Sequence, residues 1–138
     1  MRARSKLPSN SKRHRRGVAA VEFAVCLPVI VLLIFGAIEA SSFIFLKQSL
    51  HVAAYEAART ATRIDSDNAA ATQSVQNILT ARMVQDFRVA FPNGESGSAD
   101  RGDEVVVEVS APTSTNSPLA GRFVTNRTLT ARVVMVKE

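Results

Sequence analysis

From Val18 to Leu46 the chain reads VAAVEFAVCLPVIVLLIFGAIEASSFIFL, with only two charges, Glu22 and Glu39. The apolar residues fall on every side of a helical projection, and a run of this length without a polar face predicts a membrane-spanning helix. Sixteen uncharged residues separate the two glutamates, so their carboxylates stand about 25 Å apart along a helix, a little less than a ~30 Å hydrocarbon core. The whole segment therefore spans with each acid near an interface. Pro28 lies inside it and takes away the bond to the carbonyl of Ala24, which predicts a kink.

Past Leu46 the pattern narrows to a stripe. Leu46, Leu50, Ala53, Ala54, Ala57 and Ala61 recur at steps of three and four, flanked by Lys47, Glu56, Arg59 and Arg63, which predicts that the helix continues as an amphipathic stem. "IDSDN", residues 64–68, carries turn and helix-capping residues. After it, Ala71, Val75, Ile78, Leu79 and Met83 share one face of a shorter second helix.

Then the period changes. "DFRVAF" (86–91), "DEVVVEVSA" (103–111) and "RTLTARVVMV" (127–136) are rich in strand-favouring residues, the second setting Val105, Val107 and Val109 against Glu104, Val106 and Glu108. Their linkers, PNGESGSADRG and PTSTNSPLAGR, have turn chemistry. The fold class expected is α+β: a long N-terminal transmembrane and stem helix, a second short helix, and a small antiparallel sheet. Residues 1–17 form a basic leader, 18–46 the transmembrane helix, 47–64 the stem, and 65–138 an exported α+β domain.

Charge fixes the orientation. Residues 1–17 hold seven Lys and Arg and no acid, and without them the formal charge falls from +5 to −2. A basic tail suits nucleic acid, but this one has no aromatic residue to stack on bases and abuts an apolar span. It is read instead as a cytoplasmic flank, which sends the C-terminal domain out of the cytoplasm. The single cysteine, Cys26, sits in the span and can form no disulfide within the chain.

Catalytic patterns are missing from the sequence. His14 belongs to the leader and His51 to the stem, and there is no glycine-rich phosphate loop or paired-carboxylate motif. The chain is expected to be no enzyme and to use no metal or cofactor.

Glu22 is then the residue to account for, because a carboxylate inside a membrane helix costs a few kcal/mol on insertion-type scales. It is only four residues past Val18 and can snorkel to the headgroups, but its surroundings are more specific than that. In "RRGVAAVEFA" a basic tail ends in Gly17, an apolar helix starts at Val18, and the acid falls fifth if the chain is cut between them. This junction resembles the type IV prepilins. The longer stretch from Arg15 to about residue 60, with Pro28 and the later Glu39, is similar to the TadE-like pseudopilins of the tight-adherence (Flp-type) pilus.

The resemblance implies cleavage between Gly17 and Val18 by a membrane-embedded prepilin peptidase. It further implies that Glu22, with Phe23 beside it, takes part in subunit assembly, the carboxylate accepting the free amino terminus of a neighbour. The partners expected are that peptidase, other pilins or pseudopilins with their assembly machinery, and membrane lipid, without nucleic acid. The location implied is a bacterial inner membrane, crossed once with the N-terminus cytoplasmic. The competing expectation is an uncleaved single-span protein whose exported domain binds another envelope protein.

Overall fold

A computed structural model describes residues 11–118 and 127–137 of the 138-residue chain. Its elements in order are α1 (Ser11–Ala61), α2 (Asn68–Ala81), β1 (Arg88–Ala90), β2 (Glu104–Pro112), a single turn α3 (Thr113–Asn116) and β3 (Thr128–Val136), with a 3-10 turn at Ser96–Ser98. The α+β class read from the sequence is the one observed. The strands form an antiparallel sheet in the order β1-β2-β3. The chain divides into two compact units, Met1–Ala37 and Ile38–Glu138.

Within the second unit one apolar cluster joins helices and sheet. Leu46, Leu50, Ala53, Ala54, Ala57, Ala58 and Ala61 of α1 meet Ala71, Val75 and Leu79 of α2 and Val105, Val107, Val109, Ala111 and Ala131 of the sheet. Every residue of the stripe anticipated on α1 is buried. Ser49, also buried, receives a hydrogen bond from the Arg82 guanidinium at 3.4 Å, which ties α1 to the end of α2.

Packing divides the chain differently from hydropathy. Hydropathy alone carries the apolar run to Leu46, yet Leu46 is 2% exposed inside the folded unit, whose first residue is Ile38. The apolar face of the stem lies in the unit's core. A run of apolar letters has the same composition whether it faces lipid or a protein interior, so composition cannot place that division.

Turn chemistry behaves as the sequence suggests at one end of α2 and differently at the other. Asp67 caps the N-terminus, its carboxylate accepting from Ala70 N at 2.8 Å. At the C-terminus no glycine is present, but Val84 N bonds Leu79 O at 2.9 Å and Met83 N bonds Thr80 O at 3.0 Å. That pair of bonds is a Schellman motif, and it forces Met83 to a φ of 57°. Met83, expected on the buried face, is consequently 86% exposed, and Val84 takes its place at 6%. The helix stops before the apolar period does.

Strand limits also follow local chemistry. Asp86, at φ 55°, turns the chain before β1, and Pro92 offers no N–H after it. The Asn116 side chain bridges the end of β2 to the segment before β1: its Oδ1 accepts from Gln85 N at 2.7 Å, and its Nδ2 donates to Gln85 O and Pro112 O at 2.9 Å each. Gly102, at φ 99°, makes the bend into β2.

One ammonium closes the unit. Lys137, just past β3 and 8% exposed, donates from Nζ to Ala61 O (3.1 Å), Arg63 O (3.1 Å) and Ser96 O (3.0 Å). All three of its protons are used, one of them on the last carbonyl of α1, at the helix's negative end, and one on the segment just after it. Its own N–H bonds Asp103 O at 2.8 Å.

Two outcomes are expected in chemical denaturation of the chain. Lys137→Met strands three carbonyls and lowers stability by about 2 kcal/mol. Met83→Gly relieves a left-handed non-glycine residue that makes no buried contact, and raises stability by about 1 kcal/mol. A neutral result for either contradicts the corresponding account.

Candidate assembly helix and processing junction

The residues singled out at the N-terminus all lie on α1, in the first compact unit. Gly17, Val18, Glu22, Phe23 and Pro28 are exposed, as is every residue from 17 to 38. Val21, Phe23, Val25, Leu32 and Leu33 each leave more than half of their surface uncovered. α1 is the one helix among the described residues long and apolar enough to cross a membrane.

Such exposure of contiguous apolar surface is far outside what a soluble monomer tolerates. It fits a single-pass membrane protein. The twenty residues 18–37 alone extend about 30 Å as a helix, the thickness of a hydrocarbon core.

Helix α1 is continuous on both sides of Pro28. It also runs through Gly17, where a Cβ would meet nothing within 4 Å. Glycine weakens a helix interior by about 1 kcal/mol relative to alanine, and here no close packing in the chain returns that loss. Gly36, likewise, has open space where a Cβ would stand.

Glu22 has no hydrogen bond or ion pair among the described residues, and it stands about 6 Å along the helix from Val18. Cys26 is a free, exposed thiol. The part of the leader expected over residues 1–10 lies outside the described residues.

The sequence does not single out what happens at Glu39. It is the second acid of the apolar run, and both of its carboxylate oxygens are shielded from solvent with no hydrogen-bond partner among the described residues. Hydropathy registers the charge but not its shielding.

Elsewhere the surface offers shallow grooves. One of about 550 Å³ runs past Asp86, Phe87, Arg88, Ser110 and Thr128 at the end of the sheet. No group of three or more His, Cys, Asp or Glu gathers among the described residues.

Neither a curated protein nor a solved structure matches this chain. A family model does: the one described as TadE-like protein matches residues 17–59, beginning at the glycine of the junction and running through the exposed apolar helix into the buried alanine stripe. Over that segment, which holds the exposed apolar helix, the chain is similar to the TadE-like family.

Proposed function

We propose that the chain is a minor pilin-like structural subunit of tight-adherence pilus assembly, anchored by α1 in the bacterial inner membrane and processed after Gly17. One observation carries this reading. The family match starts at Gly17, where an apolar helix exposed along residues 17–38 begins, and that helix holds a lone acid at its fifth position from Val18.

Each part of that observation has a physical role. The exposed stretch supplies a helix that lipid can solvate before assembly and that neighbouring helices can cover afterwards. Glycine at position 17 gives the fold nothing, so its value is to an outside reader of the junction, and a peptidase pocket that admits no side chain is such a reader. Glu22, unpaired in the single chain, becomes tolerable when a neighbour's new α-ammonium meets it. Such a pair sets the stagger between helices more than it adds net stability.

Topology follows from charge. The leader carries the basic excess and stays in the cytoplasm, while Ile38–Glu138 is exported. The partners are a prepilin peptidase, other pilins or pseudopilins, and lipid. An uncleaved single-span protein has the same topology, and processing separates the two readings.

Intact mass measured on protein from cells with a matching peptidase is expected to give a chain starting at Val18, and Gly17→Phe to leave the full precursor. Persistence of Met1-containing wild-type chain counts for the uncleaved alternative. Glu22→Gln is expected to leave insertion intact, since it removes a charge from the span, and to lower recovery of partner subunits from membranes at matched protein levels. Wild-type recovery and wild-type cleavage together would show Glu22 to be an interfacial passenger.

A further inference from the structure

Charge in the folded unit is sorted by position, although it is scattered along the sequence. Lys47 of α1 donates from Nζ to Thr130 O at 2.9 Å; Thr130 is opposite Ser110, and Ser110 is opposite Arg88, so Lys47 and Arg88 flank one row of the sheet. Arg82 reaches Ser49, two residues past Lys47, at 3.4 Å. Arg127 precedes β3, and its carbonyl accepts from Thr113 N at 2.8 Å, just beyond the end of β2. These four cations gather at the end of the unit where residues 38–49 of α1 lie. Among the described residues only Asp86 opposes them there, since Glu108 is 3.6 Å from Arg132 and both oxygens of Glu39 are covered.

The opposite end has the reverse sign. Asp65, Asp67, Glu95, Asp100, Asp103 and Glu104 stand around the end of α1, the start of α2 and the start of β2. Arg63 and Arg101 are exposed among them, while Lys137 is turned inward on three carbonyls.

The basic end begins where apolar exposure stops. Ile44 and Phe45 are 59% and 50% exposed, Leu46 is buried, and Lys47 is exposed. Between Glu22 and Lys47 the one charge is Glu39, whose oxygens are covered, so α1 shows no accessible charge up to Phe45. Residues 18–45 exceed a ~30 Å hydrocarbon core in length, and the excess is taken up by tilt and by the interfacial layer. Lys47 and Ser49 follow Phe45 by about 3 and 6 Å along the axis, comparable to the 5–7 Å or so that headgroups add to each side of the core.

We propose that this basic end is a docking surface for the anionic phospholipid headgroups of the leaflet from which α1 emerges, which holds the folded unit against the membrane with its acidic end outward. The proposal rests on the reading of α1 as a membrane anchor, and it is independent of leader cleavage and of any pilus partner.

The cations have donors to give. Lys47 keeps two protons after its bond to Thr130, and the Arg88 and Arg127 side chains make no hydrogen bond or ion pair among the described residues. Both groups suit phosphate oxygens. Each cation at an anionic leaflet favours the docked state roughly fivefold, and its influence falls off within a Debye length of about 8 Å. Glu104 is six residues from Ser110 along β2, about 20 Å, so the acids at the far end do not cancel the attraction. Of the four cations only Lys47 lies within the 15–20 residues or so of the span that set orientation, which leaves the topology to the leader.

The test uses the full chain reconstituted in vesicles, with Cys26→Ser removing the native thiol and Gln85→Cys carrying a fluorophore between Arg82 and Arg88. The Gln85 side chain is exposed, and its bonds to Asn116 are made by its backbone. Quenching by a headgroup-labelled lipid is compared in phosphatidylcholine and in phosphatidylcholine with roughly one third phosphatidylglycerol. It is expected to double roughly or more with the anionic lipid, and to return to the phosphatidylcholine value at about 1 M salt, where the Debye length is about 3 Å. Arg88→Gln with Arg127→Gln is expected to abolish the increase, and Arg63→Gln with Arg101→Gln to preserve it.

Equal quenching in the two lipids overturns the proposal, as does an increase that survives high salt or is lost equally in the far-end variant. The lipid and salt comparisons keep all four cations, so they decide the matter even where a charge variant unfolds. A chain washed off the vesicles by alkaline carbonate refutes the membrane anchor itself, whereas an anchored chain with equal quenching refutes the docking surface alone.

Discussion

Everything in the folded unit depends on one face of α1. Five alanines and two leucines between residues 46 and 61 are buried there, and the second helix and the sheet assemble on them. The alanines matter for their size: a small side chain brings backbones close and loses no rotamer freedom on burial, so a domain of modest length can still reach interior packing density. The surface required for this lies on the same helix that carries the exposed apolar stretch. A substitution on the alanine face is therefore a change to the fold, and one between residues 17 and 38 is a change to what surrounds it.

That difference explains how much was legible beforehand. Periodicity is a local signal and reports faces well, so the stripe from Leu46 to Ala61 and the inward valines Val105, Val107 and Val109 are found where spacing puts them. The cap at Asp67 is local too. Met83 is a harder case, because its apolar character continues the period of α2 while the backbone has already turned. The bonds that turn it, from Val84 and Met83 back to Leu79 and Thr80, leave no mark in residue type when the left-handed position is not a glycine.

Lys137 and Glu39 were unreadable for a related reason. The environment of Lys137 is assembled from segments distant in sequence, and the covering of Glu39 is not a property of residue type. A lysine at the end of a strand reads as solvated, yet it is enclosed by carbonyls from the end of α1, the segment after it and the turn at Ser96. The junction at Gly17, where the family match begins, was legible because its pattern is linear: residue types in order along the chain, without a fold.

The two charges differ in how their burial is resolved. Lys137 is satisfied within the chain, each proton directed to an oxygen, so it stabilises one closed arrangement of helix end, turn and strand. Glu39 is covered but unsatisfied, and Glu22 is uncovered in a stretch built for an apolar surrounding. A sequence that needed only an anchor gains nothing from either acid, since both raise the cost of insertion and neither finds a cation between Val18 and Leu46.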